Sequence, residues 1–362
     1  MSRRLLIMGA GGGSSNNLIR SLRLGEPSLE IVGCHHNRFT LKQSQANRNY
    51  LIPSIDHPDF LESLNSLVDK EDIGLLIPNS DEDVTGVAAR RDTIRCRLFL
   101  PRSEVIDLCR DKFQLTGFLA SRGVSVPDTC PVSSLEDMEE LFDKLAPHAP
   151  LWCRLRTGQG GMGAMLVKTA EQARTWIRYW EDMRGIAATA FSLSEYLPGR
   201  DFACQALFKA GRLVLIKSYE RLSYLGAGAH PAGFSSLATL SKTVSVPEVV
   251  EVCAAAVRAI DGDASGVYCF DVKENASGAP CLTEINAGRF GLSTSIFDIP
   301  GLHNTAITYV RLALDERVDI VDAYDVAEGY YMVRDYDTVP VVMHADELFE
   351  GIDEVWAGAS LA

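Results

Sequence analysis

Residues 266–291, GVYCFDVKENASGAPCLTEINAGRFG, hold the side chains best suited to chemistry: Asp271, Lys273, Glu284, Asn286 and Arg289. Residues 267–273 are rich in β-branched and aromatic side chains. Asn275, Ser277, Gly278 and Pro280 then punctuate, and 281–286 resume, which predicts two strands joined by a turn. Alternation puts Asp271 and Lys273 on one strand face, with Phe270 and Val272 on the other. The same rule groups Glu284 with Asn286, opposite Ile285. If the strands pair antiparallel, two carboxylates and an amide converge beside cations. Hard oxygen donors on neighbouring rungs suit Mg2+, which keeps several waters and bridges phosphates. The competing reading is a charged, solvated strand face, and this stretch alone does not separate the two.

A second constellation lies upstream. Residues 151–156 read as a strand, TGQGGMG as a loop, and 164–169 as the returning strand. Glycines here expose backbone N–H groups at little steric cost, which suits closure over phosphates. No GK[ST] follows, so this is not a Walker loop. Alternation puts Arg154 and Arg156 on one face, where paired guanidiniums call for an anion: a phosphate, or local carboxylates. Asp111 and Lys112 open a helix, and SEYLPGR at 194–200 ends in a Pro-Gly turn.

These residues need scaffolding, and 362 residues allow two or three domains with a sizeable core. Strand candidates at 3–9, 30–34, 50–53, 74–78 and 97–100 alternate with helices at 16–24, 58–70 and 81–91. That pattern predicts a parallel sheet covered on both faces. The glycine turn GAGGGS does not make a dinucleotide fingerprint: Ser14 stands where GxGxxG needs glycine. No acidic residue follows the second strand ~20 residues on. Strands are expected at 201–208 and 212–219 and helices at 171–183, 247–260 and 302–314. Residues 221–242 read as a mobile loop, and 324–362 as a short closing segment.

Composition narrows the function classes. Hydrophobic residues are 46% and charged residues 23% of the chain, as in soluble globular proteins. No apolar run reaches the ~18 residues of a membrane span. The N-terminal apolar run reads as a strand before glycines, not a signal peptide. A net charge of −13 argues against nucleic acid and anionic membranes as partners. Nine cysteines without CxxC spacing read as reduced residues of a cytoplasmic protein.

Taken in order, these motifs resemble the ATP-grasp superfamily, in the branch similar to carbamoyl-phosphate synthetase modules. The resemblance rests on the leading sheet domain, Asp111-Lys112, the strand with Arg154 before TGQGGMG, SEYLPGRD, and FDVK followed by TEINAGRF. It implies an α/β (α+β) chain with a Rossmann-like pre-ATP-grasp domain at 1–108 and a lid at 109–194. An antiparallel catalytic subdomain at 195–323 and a closing segment at 324–362 complete it. It further implies ATP and Mg2+ (or Mn2+) as cofactors. Lys112 and Arg154 would hold phosphates under Gly158, Gly160, Gly161 and Gly163. Glu195, Tyr196 and Leu197 would meet the adenine and Asp201 the ribose. Asp271, Glu284 and Asn286 would hold the metal. Arg289 would face the transferred phosphoryl group or the acceptor carboxylate, with Lys273, Lys217 and Arg221 as further catalytic candidates.

The implied activity is a carboxylate–amine ligase acting through an acyl phosphate on a small acid and amine, with a homodimer as the expected assembly. The alternatives are a bicarbonate- or carbamate-activating carboxylase or kinase, and a non-catalytic nucleotide-binding protein. The sequence departs from the family at Ala287-Gly288, which replace proline in EINPR, and at Asp271, which is shorter than the frequent glutamate or glutamine. One module is seen, without an amidotransferase.

Overall fold

The computed structural model describes residues 2–353 except 159, 231, 232, 234, 236 and 337. The chain begins with β1 (Leu5–Met8), α1 (Gly13–Gly25), β2 (Ile31–His35), α2 (Arg38–Leu41), β3 (Arg48–Leu51), α3 (Phe60–Lys70), β4 (Leu75–Ile77) and α4 (Asp81–Ala88). The strands form a parallel sheet in the order β3-β2-β1-β4. Period-2 alternation decides which layer each side chain joins. Leu5 and Ile7 pack with Leu18, Ile19 and Leu22 of α1, whereas Leu6 and Met8 pack with Phe60, Leu64 and Val68 of α3. The expected strand at 97–100 is reduced to a single bridge, Leu75 to Arg97.

Next come α5 (Ser103–Arg110), α6 (Lys112–Ala120), β5 (Thr129–Pro131), α7 (Met138–Lys144), β6 (Leu151–Leu155), β7 (Met165–Val167), α8 (Ala170–Arg184) and β8 (Phe191–Glu195), which include the stretch 109–194 expected to form a lid. Its antiparallel sheet runs β5-β8-β6-β7. Its core is local, with Leu151, Cys153 and Leu193 against Met138 and Ile177.

The remainder is β9 (Asp201–Lys209), β10 (Arg212–Tyr224), β11 (Ala238–Thr243), α9 (Pro247–Ile260), β12 (Gly266–Glu274), β13 (Pro280–Ala287), α10 (Thr294–Asp298), α11 (Thr305–Ala313), β14 (Tyr330–Val333) and β15 (Val341–His344). These strands make one antiparallel sheet, β13-β12-β9-β10-β11-β14-β15. Two expectations are corrected here. The stretch read as a loop at 221–242 contains the end of β10 and most of β11. The closing segment adds β14 and β15 to this sheet, because β11 offers an unpaired edge that Tyr331–Val333 complete. Residues 231, 232, 234 and 236 of the former, and 337 and 354–362 of the latter, lie outside the described residues.

One face of the large sheet packs on α5, α6 and α9 through Phe202, Phe270, Val272, Leu282 and Ile285. Leu207, Leu215, Val267 and Phe290 join α1 and α11 in the core under the parallel sheet. The two sheets therefore share hydrophobic cores.

Candidate active site

Asp271 and Glu284 are direct cross-strand partners on β12 and β13, and Asn286 lies one same-face step further, opposite Cys269. A β-bulge makes this possible. Asp271 pairs with Glu284 but Val272 pairs with Leu282, leaving Thr283 as the extra residue. Leu282 and Ile285, three apart, therefore both point into the core, while Glu284 and Asn286 face the opposite side. The bulge also exposes the Thr283 carbonyl, which accepts from Arg154 Nη2 at 3.2 Å.

All three oxygen-bearing side chains line a cleft of about 450 Å³. Its other polar walls come from Lys112, Arg154, Gly158, Gly160, Gly161, Arg221, Arg289 and Arg334. Among the described residues, five cationic side chains and two carboxylates line it, an excess of three positive charges in a chain of net charge −13. Such an imbalance suits a polyanion. Each oxygen donor also contacts a cation. Arg221 Nη2 donates to Asp271, Lys112 Nζ lies 3.5 Å from Glu284, and Arg289 Nη2 donates to Asn286 at 2.5 Å.

Arg154 occupies the middle of β6, buried, and its Nε has no hydrogen-bond partner. Burial pulls its pKa down, against the attraction of Glu284 and Asp271. A buried guanidinium with a free donor on a cleft wall is an anion site in search of an anion. Arg156 goes elsewhere: beyond the end of β6, it makes a two-pronged contact with Asp111 at 2.6 and 3.3 Å and covers the Phe113 ring. The expected arginine pair is thus split between an open anion site and a local carboxylate. Asp111 also caps α6 by accepting from the N–H groups of Phe113 and Gln114. That capped start holds Lys112, whose Nζ donates to the Gly158 carbonyl at 2.8 Å.

Gly158, Gly160 and Gly161 line the cleft; Gln159 of that loop lies outside the described residues. Gly163 has a different job. Its φ is +71°, and a Cβ there would come within 2.8 Å of Leu155, so it lets the loop close onto the lid core.

The hinge residues stand beside the cleft and are not among its lining. Glu195 ends β8, with its carboxylate 3.7 Å from His148 Nδ1. Leu197 is buried, and the Tyr196 ring lies 6.4 Å from Trp152, which does line the cleft. Asp201 accepts from Arg221 at 2.8 Å and from the Tyr224 hydroxyl, so a sugar hydroxyl would have to displace these partners.

Arg221 belongs to the site, bridging Asp201 and Asp271. Burial opposes its charge, but the two carboxylates outweigh burial and raise its pKa well above the usual value. Lys273 does not reach the cleft; its Nζ sits over the Tyr196 ring and 4.0 Å from Asp201, at the hinge. Lys217 is a correction too. It is fully buried, donating to the Phe297 and His303 carbonyls, with Asp325 at 3.1 Å and Asp298 at 3.5 Å. This buried network of carbonyls and aspartates engages its charge away from the cleft.

Arg289 lines the cleft despite Ala287-Gly288 in place of proline. Its Nε donates to Asp81 at the start of α4, tying the large sheet to the parallel-sheet domain. Burial opposes its charge, but Asp81 prevails and raises its pKa. Cys269 also lines the cleft, yet burial pushes its thiol up to about 12, so it is no thiolate nucleophile.

Two residues escaped the sequence reading. Arg334, on the strand end of the closing segment, is buried and lines the cleft, donating to the Leu292 carbonyl at 2.9 Å. Gln205 on β9 is buried with an unpartnered Nε2 and lines the cleft. A buried amide or arginine inside an apolar strand was the available signal.

The described residues contain no cluster of three His, Cys, Asp or Glu side chains that could hold a metal. The set here is two carboxylates and an amide, which fits Mg2+: that ion takes one or two protein carboxylates and leaves other positions to water and phosphate.

No family model matches the chain. The ribosomal protein bS6–L-glutamate ligase of Shigella flexneri is 29% identical over 209 residues, 56% of this chain and 64% of that relative. The chain thus spans a little under two thirds of that relative's length. The structure of a biotin carboxylase–β,γ-ATP complex from Campylobacter jejuni superposes with a TM-score of 0.70 at 12% identity, covering 91% of this chain and 74% of that one. An L-amino acid ligase from Bacillus licheniformis gives a TM-score of 0.68 at 14% identity, covering 91% and 79%. At 12% and 14% identity, these solved structures show that the chain shares their fold.

Proposed function

We propose that the chain is an ATP- and Mg2+-dependent carboxylate–amine ligase that forms an amide through an acyl phosphate and releases ADP and phosphate. The observation that carries this reading is the cross-strand pair Asp271–Glu284, joined by Asn286, facing a cleft lined by Lys112, Arg154 and Arg289. Mg2+, or Mn2+ in its place, would supply charge neutralisation on the phosphate oxygens when held by Asp271, Glu284 and Asn286.

Everything else falls to the chain's own residues. Lys112 and Arg154 balance phosphate charge, and the glycine loop closes over the triphosphate and keeps water out. Glu195, Tyr196 and Leu197 frame the adenine end of the cleft. Arg289 steadies the transferred phosphoryl group. Arg334, further along the same cleft, pairs with the acceptor carboxylate. The carboxylate oxygen attacks the γ-phosphorus as the bond to ADP breaks. The free amine then attacks the carbonyl carbon, phosphate departs, and the amine nitrogen loses a proton.

All nine cysteines are free thiols, in keeping with a reducing, cytoplasmic setting. No described helix is long and apolar enough to cross a membrane.

The test is Glu284→Gln. It should remove acceptor-dependent ADP release, with a loss of ~10²-fold or more, while the thermal melting curve stays in place. Turnover retained in that variant would remove Glu284 from the mechanism. ADP release that depends on bicarbonate and needs no amine would replace the ligase by a carboxylase or kinase.

A further inference from the structure

A second cavity, of about 210 Å³, lies at the carboxyl ends of the parallel strands, where open α/β sheets bind ligands. Its floor is apolar, with Met8, Cys34, Ile52 and Phe60. Its wall carries the carboxylate of Asp83, from the first turn of α4. No lysine or arginine reaches that carboxylate among the described residues. Burial raises its pKa, opposed by the Ser80 hydroxyl and by His36 at a distance. The neighbouring carboxylates differ: Asp81 is already engaged by Arg289, and Glu82 is exposed.

Room beside Asp83 depends on Gly9. A Cβ at Gly9, where φ is +66°, would stand 3.2 Å from Asp83 Oδ2. The glycine turn that lacks a dinucleotide fingerprint therefore keeps this carboxylate accessible. His35, also on the wall, accepts the Asn37 N–H at Nδ1 at 2.8 Å, so the neutral ring carries its proton on Nε2. Burial, with help from His36, lowers the His35 pKa and favours that neutral form. The cavity thus offers a hydrocarbon floor, two carboxylates without a lysine or arginine partner among the described residues, half-buried Asp83 and exposed Glu82, and the rings of His35 and His36 as its only basic groups.

We infer that this cavity binds an alkylammonium group: the hydrocarbon stem lies on Met8, Ile52 and Phe60, and the cationic head pairs with Asp83. Ser14 lines both this cavity and the nucleotide cleft. Asp81 and Glu82 line both this cavity and a third one, shared with Lys112, Glu284 and Asn286. A ligand seated here therefore abuts the reacting centre. As a substrate pocket it rests on the ligase reading and assigns the amine substrate to the basic class, with a second ammonium group remote from the one that reacts. As a binding site it stands by itself.

Calorimetric titration of the full chain with butylamine, and with butanol as the uncharged counterpart, tests it. Butylammonium should bind at least ~tenfold more tightly than butanol, and Asp83→Asn should remove that preference. Ile55→Trp, at a half-buried position on the cavity wall, should weaken butylammonium without touching the carboxylate. It serves if Asp83→Asn fails to fold. Absence of butylammonium binding to the native chain overturns the inference, as does equal affinity for butanol or an unchanged affinity in either folded variant. Mg-ATP binding and ADP release are followed in the same samples. Ornithine favoured over norvaline as the amine substrate supports the assignment. Release with norvaline alone refutes that assignment and leaves the ligase intact, whereas no release with any acid and amine pair counts against the ligase and not against the cavity.

Discussion

Arg154 shows how one side chain can be costly for the fold and useful for the site. Its Nε lacks a partner in a buried setting, and an unmatched buried donor costs about 1–3 kcal/mol. Its charge is opposed by burial and only partly supported by Glu284 and Asp271. Arg154→Met should therefore leave the melting temperature unchanged or raise it, while weakening Mg-ATP binding by about 10- to 100-fold. A melting curve and a calorimetric titration of one preparation check both halves. Parallel loss of stability and affinity would make Arg154 a structural residue. Arg156 carries the same charge two positions on, yet spends it on Asp111, which itself caps α6. Residue type and spacing could not separate these two arginines, because the end of β6 falls between them.

At the scale of the element, the bulge at Thr283 sets the geometry of the face that carries Asp271, Glu284 and Asn286. Strict alternation would place Leu282 on the same face as Glu284 and Asn286. The extra residue rotates the first part of β13 by one position, so that Leu282 enters the core. Deleting Thr283 should restore regular alternation with Leu282 still in the core, and remove the carbonyl that receives Arg154. The expected result is a urea midpoint that holds, together with weaker Mg-ATP binding. A midpoint lowered by about 2–3 kcal/mol would mean that the strand re-registers and exposes Leu282. The hinge is a second case. Tyr196 and Lys273 stack there and Leu197 is buried, so the turn between β8 and β9 is a packed joint that sets where the lid meets the large sheet.

For the molecule as a whole, the buried network around Lys217 fastens the closing segment to the large sheet. Asp325 accepts from the N–H groups of Leu302 and His303 at 3.0 and 2.8 Å and faces Lys217 at 3.1 Å. Burial opposes its charge, but these donors and Lys217 hold its pKa below the usual carboxylate value. A depressed carboxylate stabilises the fold above its unfolded pKa, and that contribution disappears as pH falls through the folded value. Asp298 runs the other way: burial raises its pKa, so its ionised form costs stability at neutral pH and acid relieves that cost. Asp325→Asn should thus lower stability at neutral pH and flatten its further decline between about pH 5 and pH 3. Denaturant titrations at the two ends of that range would show it. The same segment delivers Arg334 to the cleft, so loosening it should also weaken acceptor binding.

Much of this was open to inspection in the chain itself. Alternation and turn residues located β12 and β13, glycines marked the loop after β6, and alternating strands and helices announced the parallel sheet, because local periodicity reports which face of an element is buried. Pairing Asp271 with Glu284 already required contact between segments, and the spacing only made it available. The tertiary structure alone sent Lys217 into a packing network, drew Lys273 to the hinge, brought Arg334 from the closing segment into the cleft and set Asp83 beside Gly9. Those outcomes depend on which surfaces meet across long sequence separations, and a side chain's type is the same on either side of that choice.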